Sequence, residues 1–199
     1  MVFLQKVVKI EPMPIFDYNL TWILLNVFLA FVPVVFTIIL RRKMPAILRA
    51  FFIFLWLLFL PNTIYLVTDL QWFPSQLLAS QMPEQAALFA QYIILTLLGV
   101  FTYFFSLEPM GRLIKKMKSD SLNKNTLYIG LNFIIAFAVV LGKIQRTHSV
   151  YIFLDPMRVV TDIITTFSST YLLFWVLVIG ISINIIYFTC KSFFRKFFE

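Results

Sequence analysis

The sequence predicts an all-α protein, a polytopic bundle of five transmembrane helices that forms one membrane domain over residues 1–199. Hydrophobic residues make up 61% of the chain and charged residues 13%, and the mean hydropathy is +0.90. Soluble domains carry roughly 25% charged residues, so the composition indicates that lipid is the solvent of this chain. Each of five apolar runs is long enough to cross a hydrocarbon core of about 30 Å.

The five predicted spans are separated by charged or proline-containing segments, and they cover residues 18–40, 45–70, 85–107, 127–144 and 169–190. Residues 73–84 contain prolines and predict a loop. Residues 149–168 are too polar to span, and whether they lie on the membrane or re-enter it is open. We expect an amphipathic surface helix that begins near Asp155-Pro156, because aspartate caps helices and proline suits their first turn.

The basic residues are divided unevenly between the two sides of this bundle. One side would hold twelve of them: Arg41, Arg42, Lys43, Arg49, Arg112, Lys115, Lys116, Lys118, Lys124, Lys191, Arg195 and Lys196. The other would hold five: Lys6, Lys9, Lys143, Arg146 and Arg158. The positive-inside rule then predicts a protein of a cytoplasmic membrane with its N-terminus outside and its C-terminus in the cytoplasm.

The formal charge of +8 is explained by these short basic loops, so no nucleic-acid partner is expected. Membrane lipids are the expected partners, and a membrane-protein partner or a homo-oligomer is open. Cys190 is the single cysteine, which excludes an internal disulfide and a cysteine metal cluster. The sequence contains no phosphate-loop, dinucleotide or metalloprotease motif, so we expect neither a cofactor nor a metal.

The segment Leu60–Leu70, Leu-Pro-Asn-Thr-Ile-Tyr-Leu-Val-Thr-Asp-Leu, places polar groups inside the second span. Asn62, Tyr65 and Asp69 share one face of a continuous helix by their spacing. Pro61 complicates the helix, because an interior proline removes a backbone hydrogen bond. Two interpretations are open: a second helix capped by Asn62 whose positive end attracts anions, or a kink whose freed carbonyl is satisfied by Asn62 or Thr63.

Two cations, one in the fourth span and one after it, lie on the side of the membrane that has fewer basic residues. Lys143 and Arg146 lie at its predicted outer end, on the same side of the membrane as Asp69. One interpretation is a pocket for a phosphate, an anionic lipid head group or a small anionic solute. The other is a salt bridge from Lys143 or Arg146 to Asp69 or Asp155 that joins the second and fourth spans. The predicted ligand-binding residues are Asn62, Tyr65, Asp69, Lys143 and Arg146.

Three functions are compatible with these residues. The favoured one is a binding or transport protein for a lipid head group or small anion. The second is an enzyme acting on a lipid or lipid-linked substrate, with Asp69 or His148 as the base. Enzyme chemistry normally needs more convergent titratable groups than this, so the sequence gives less support to catalysis. The third is an accessory or scaffold subunit of a membrane complex.

The residues Leu60–Leu70 also carry a family resemblance, because Leu-Pro-Asn-x-x-Tyr-x-x-Thr-Asp-Leu is matched there. A second block, roughly Leu-Gly-Arg-x-x-Arg-x-Asn-Ser-Trp-Asp, is matched in part from Leu141 to Tyr151. The chain therefore resembles the bacterial integral membrane proteins of domain of unknown function 1361. Lys143 replaces the first arginine, and His148 stands where asparagine is usual. Val150-Tyr151 replace Trp-Asp, so a mechanism that needs this aspartate would use Asp155. The resemblance implies a fold and a membrane location but no activity.

Overall fold

The computed structural model describes residues 15–117, 123–147, 149 and 151–196. The helices are α1 (Ile15–Leu40), α2 (Ala46–Phe59), α3 (Pro61–Thr68), α4 (Phe73–Ala79), α5 (Met82–Met117), α6 (Lys124–Lys143), α7 (Tyr151–Leu154), α8 (Pro156–Ser168) and α9 (Thr170–Arg195). A 3₁₀ turn, Asp69–Trp72, connects α3 to α4. These residues contain no β-strand, which confirms the predicted all-α class.

Five stretches of the described chain are long and apolar enough to cross a bilayer: Trp22–Leu40, Ala46–Ala79, Glu84–Ile114, Asn125–Lys143 and Thr170–Phe194. This confirms the five predicted spans. The third was predicted too short, because α5 continues through Pro109 to Met117. The loop predicted over residues 73–84 is wrong for its first half, where α4 forms. Pro74 lies in the first turn of α4, where a missing backbone N–H costs nothing.

The outer surface of the candidate spans is apolar, and the interior holds polar side chains within a larger apolar core. Buried polar side chains include Asn19, Asn62, Glu108 and Asn132. Large exposed side chains are apolar along all five candidate spans, with Phe28 among them. Such an outer surface is stable only in an apolar solvent, because burying polar groups needs internal partners while lipid accepts the apolar exterior.

The short helix α3 lies at the centre of the packing, where it contacts α1, α5 and α6. The helix α6 packs along α9, and α1 packs along α2 and α5. Gly99 allows α5 to approach α3 closely, since a Cβ atom there would lie 2.9 Å from the carbonyl oxygen of Thr63. Small residues at helix contacts are the usual means of close packing within membranes.

The predicted surface helix corresponds to α8, and its three sides differ in chemistry. Asp155 caps it, accepting a 3.2 Å hydrogen bond from the backbone N–H of Arg158. The side toward the loop after α6 carries Arg158, Asp162 and Thr166. A second side exposes hydroxyl residues, and a third exposes apolar ones. The hydroxyl residues are Thr161, Thr165 and Ser168, and the exposed apolar residues are Met157, Val160, Ile164 and Phe167.

Candidate functional site

Asp69 is a buried carboxylate at the point where α3 ends and the 3₁₀ turn begins. One carboxylate oxygen forms an ion pair with Nζ of Lys143 on α6. The other oxygen accepts a 3.3 Å hydrogen bond from Nδ2 of Asn26 on α1. An unpaired charge inside a membrane bundle is costly, so these two partners allow Asp69 to be buried. The carboxylate therefore joins α1, α3 and α6.

Lys143 is the last residue of α6, and its side chain is 20% exposed. Its ammonium group lies 5.5 Å from the ring centroid of Tyr65, within the range of a cation–π interaction. The negative end of the helix dipole also favours a cation in the last turn of α6. Lys143 is thus held by a carboxylate, an aromatic ring and the end of its own helix.

Tyr65 fixes how α3 packs against α6. Its hydroxyl donates a 3.2 Å hydrogen bond to the carbonyl oxygen of Ala138. The hydroxyl occupies the space that a Cβ atom on residue 142 would fill, so only glycine fits at Gly142. This packing sets Asp69 opposite Lys143, one turn further along both helices. We call the end of the bundle that holds Asp69, Lys143 and α8 the Lys143 end.

Asn62 acts at the helix break and not at the ion pair. Its side-chain amide donates a 2.9 Å hydrogen bond to the carbonyl oxygen of Phe59, and the Thr63 hydroxyl donates one of 2.8 Å to Leu60. The prediction that Asn62 caps a second helix is wrong, because Leu60 occupies the cap position and Asn62 lies in the first turn. The carbonyl that Pro61 frees is that of Leu57, four residues earlier, whereas these two bonds reach Phe59 and Leu60. The structure therefore agrees with the kink interpretation only in part: polar side chains satisfy carbonyls beside Pro61, but not the freed one.

Arg146 lies beside the ion pair, in the loop between α6 and α7. Its backbone has φ of 60°, a left-handed conformation that side chains other than glycine adopt at a cost. The loop is held by a hydrogen bond of 3.3 Å from Nη2 of Arg158 to the carbonyl oxygen of Arg146. The side chain of Arg146 is exposed, and its guanidinium has no hydrogen-bond or ion-pair partner among the described residues.

The five predicted ligand-binding residues therefore separate into three groups. Tyr65, Asp69 and Lys143 are in contact, Arg146 borders them, and Asn62 serves the backbone of its own helix. The salt-bridge alternative is present as the pair Asp69–Lys143. Asn26 belongs to the same cluster, although a single asparagine in the first span did not indicate which residue it contacts.

The residues of the catalytic hypothesis do not form one group in the described chain. Both carboxylate oxygens of Asp69 are engaged, and Asp155 accepts from the backbone of α8. His148 lies outside the described residues. Within the described residues, no three or more histidine, cysteine, aspartate or glutamate side chains are grouped as they would be around a metal ion.

A second polar cluster lies deeper in the bundle, between α5, α6 and α9. Glu108 is buried, with Oε1 accepting a 2.6 Å hydrogen bond from the Tyr187 hydroxyl and Oε2 accepting one of 3.3 Å from Tyr128. Nearby, the Tyr103 hydroxyl donates to Asn132 at 2.5 Å. These bonds connect three spans through buried hydroxyl, amide and carboxylate groups.

Sequence reasoning assigned Glu108 to a loop, and this is wrong. The residue lies within α5, fully surrounded by the bundle. The missed signal is that apolar residues continue beyond the Glu108-Pro109 pair at Met110, Leu113 and Ile114, with helical spacing. A proline near the end of a membrane helix does not have to end it, because neighbouring helices support the backbone.

The fold and the site together define a class, a helical bundle with five candidate membrane-spanning helices and a charge pair buried at one end. The particular family follows from comparison with family models, in which the family described as protein of unknown function (DUF1361) matches residues 25–186. The chain belongs to this family. The matched range contains Asn26, Asp69, Lys143 and Arg146. No curated protein and no solved structure matches the chain.

Proposed function

We propose that this protein binds an anionic group, the head group of a lipid or a small anionic solute, at the Lys143 end of its bundle. The single observation that carries the proposal is the guanidinium of Arg146, which is exposed and has no acceptor among the described residues. Lys143 forms an ion pair with Asp69. Arg158 forms one with Asp162, in which Nε lies 3.7 Å from Oδ2. Among the described residues at this end, Arg146 is therefore the cation whose charge is available to a ligand.

The chemistry of arginine supports an oxyanion as that ligand. A guanidinium presents parallel N–H groups that match the two oxygens of a phosphate or carboxylate. The backbone of Arg146 is in a conformation that costs energy, and such strain is retained where the surrounding structure enforces it. Here the loop is enforced by the Arg158 hydrogen bond and by a bond of 3.0 Å from the Thr147 N–H to the Leu141 carbonyl.

The neighbourhood of Arg146 favours a lipid head group over a soluble anion. The residue is hydrogen-bonded to α8, and one side of α8 exposes Met157, Val160 and Ile164. A helix with one apolar and one hydroxyl side suits the boundary between acyl chains and head groups. Arg146 would then lie at the depth of lipid phosphates. We further propose that this end faces outward from a bacterial cytoplasmic membrane, as the distribution of basic residues favours.

The test removes the charge of Arg146 without adding backbone strain. The variant Arg146→Asn suits this purpose because asparagine tolerates left-handed backbone better than most residues. The control is Arg41→Asn, which removes an exposed arginine from the loop between α1 and α2. One arm measures retention of phosphatidylglycerol by native mass spectrometry, and the other measures binding of glycerol phosphate by calorimetry.

We expect Arg146→Asn to weaken binding by roughly tenfold or more, the typical effect of losing hydrogen bonds to a charged group. Loss in the phosphatidylglycerol arm alone would identify a lipid head group, and loss in the glycerol phosphate arm would identify a small solute. Equal behaviour of Arg146→Asn and Arg41→Asn in both arms would reject the proposal.

A further inference from the structure

A groove of ≈590 Å³ lies between α6 and α9 on the outside of the bundle. It is lined by Ile129, Phe133, Ile181, Asn184, Ile185, Phe188 and Thr189. Its volume is within the range of roughly 300–1,000 Å³ that is usual for small-molecule sites. Ile185 is 61% exposed, so the groove opens toward the lipid that surrounds the helices.

One end of the groove carries a positioned cation. Nζ of Lys191 lies 5.4 Å from the ring centroid of Phe188, a residue of the groove wall, and 5.7 Å from that of Tyr187. The same Nζ donates a 3.0 Å hydrogen bond to Oδ1 of Asn125 at the start of α6. Lys191 is thus held against the groove by two rings and an amide. We call this end of the bundle the Lys191 end.

The length of the groove corresponds to one leaflet. From Ile181 to Thr189, α9 rises about 12 Å at 1.5 Å per residue. Half of a hydrocarbon core of about 30 Å is about 15 Å. Asn184 places an amide in the groove, but that amide donates to the Gly180 carbonyl at 2.8 Å and accepts from Asn132 at 3.0 Å. An apolar occupant therefore leaves the Asn184 amide hydrogen-bonded within the bundle.

We propose that the groove holds one acyl chain of an anionic phospholipid, whose phosphate binds Lys191. An apolar cleft with a cation at its membrane-surface end is complementary to a molecule with an apolar chain and an anionic head. The exposed cations Arg41, Arg42 and Lys43 lie at the same end of the bundle but outside the groove lining. This site is separate from Arg146, which lies beyond the opposite end of α6.

The experiment changes the apolar groove and the cation separately, and each variant has a matched control. Ile185→Trp fills the groove, and its control is Ile94→Trp on α5, a lipid-facing isoleucine outside the groove with 56% exposure. Lys191→Gln removes the cation, and its control is Lys43→Gln at the same end. Full-length protein is reconstituted in nanodiscs that contain equal amounts of phosphatidylcholine and phosphatidylglycerol. Native mass spectrometry then counts the phosphatidylglycerol molecules that each chain retains.

We expect Lys191→Gln to lower phosphatidylglycerol retention about fivefold relative to Lys43→Gln, the effect of one basic residue at an anionic surface. Ile185→Trp should lower retention of both lipids relative to Ile94→Trp. Retention that is equal within both pairs would overturn the proposal. A shift from dimer to monomer in Ile185→Trp without lipid loss would also overturn it, because the groove would then hold a second copy of the chain.

Discussion

The charges of Asp69 and Lys143 cancel each other, and for this reason the charge of Arg146 matters for ligand binding. Each of the paired charges has a further partner, Asn26 for the carboxylate and the Tyr65 ring for the ammonium. A buried pair overcomes the cost of losing water only when its geometry is good and its remaining polar atoms are satisfied. Since the pair is satisfied internally, Arg146 is the cation among the described residues of the Lys143 end whose charge is left for a ligand.

We predict that the substitution Gly142→Ala destabilises the protein. A Cβ atom at residue 142 would overlap the Tyr65 hydroxyl, so Tyr65 must move and its hydrogen bond to Ala138 is lost. Overpacking of this kind costs about 1–3 kcal/mol. The measurement is the thermal unfolding midpoint of the purified protein in detergent, which should fall.

Gly130→Ala is the matched control, because it lies on the same helix and a Cβ atom there meets nothing within 4 Å. Alanine favours a helix over glycine by about 1 kcal/mol, so this variant should equal or exceed the parent in stability. A Gly142→Ala protein as stable as Gly130→Ala would contradict the described contact between Tyr65 and α6.

The sequence predicted some residues of the site and missed others, and the reason differs from residue to residue. A salt bridge from Lys143 or Arg146 to Asp69 or Asp155 was one of two interpretations, because span counting places these residues at the same end of the bundle. The pair that forms is Asp69–Lys143. The burial of Glu108 was not predicted, since its position next to Pro109 resembled the end of a span. The sequence also could not show that the Asn62 side chain donates to the Phe59 carbonyl. An asparagine amide can bond either to its own helix or to a neighbouring one, and the sequence does not distinguish the two.

Among the elements, α8 is unusual because its charged side faces the protein. Arg158 and Asp162 contact the loop after α6, while Ile164 and Phe167 are exposed. The hydroxyls of Thr161 and Thr165 lie on another exposed side and donate to carbonyls four residues earlier. In a helix at the membrane surface, the apolar side contacts acyl chains and the hydroxyl side contacts water and head groups.

This arrangement predicts opposite environments for two adjacent residues. In a Cys190→Ser background, cysteines at Ile164 and Thr165 are labelled with a nitroxide, and the protein is placed in liposomes. Relaxation by lipid-soluble oxygen should be stronger at residue 164, and relaxation by a water-soluble nickel chelate should be stronger at residue 165. Equal accessibility at both positions would contradict an interfacial α8.

Helix boundaries were predictable where the thickness of the bilayer determines them. The first, fourth and fifth spans agree with α1, α6 and α9 to within a few residues at most ends, because an apolar run must match the hydrocarbon core. α4 was missed because Pro74 was interpreted as a loop signal, although it lies where a helix tolerates proline. α5 extends beyond the predicted third span because the neighbouring helices bury the side chain of Glu108.

For the molecule as a whole, the contacts show that successive spans alternate in direction. Asp69 meets Lys143 near the ends of α3 and α6, which are parallel, and Lys191 meets Asn125 across the antiparallel pair α6 and α9. The alternation collects Arg41, Arg42 and Lys43 at the Lys191 end. The positive-inside rule favours a cytoplasmic location for that end, which agrees with the proposed orientation.

We therefore predict how two surface loops respond to an impermeant thiol reagent. In a Cys190→Ser background, Gln81→Cys lies in the turn between α4 and α5, at the Lys143 end, and should be labelled in intact cells. Lys43→Cys lies at the Lys191 end and should be labelled only after lysis. The opposite labelling pattern would reverse the proposed orientation.

The Asp69–Lys143 pair also has a consequence for how the chain is made. Its two residues are 74 positions apart, so at a synthesis rate of about 5–20 residues per second Lys143 emerges about 4–15 seconds after Asp69. During this interval α3 already contains an acid that lacks its cation. Asn26, on the earlier helix α1, is the side chain able to donate to Asp69 in the meantime. We therefore expect the cluster to form stepwise during synthesis, first as an amide–carboxylate contact and then as an ion pair.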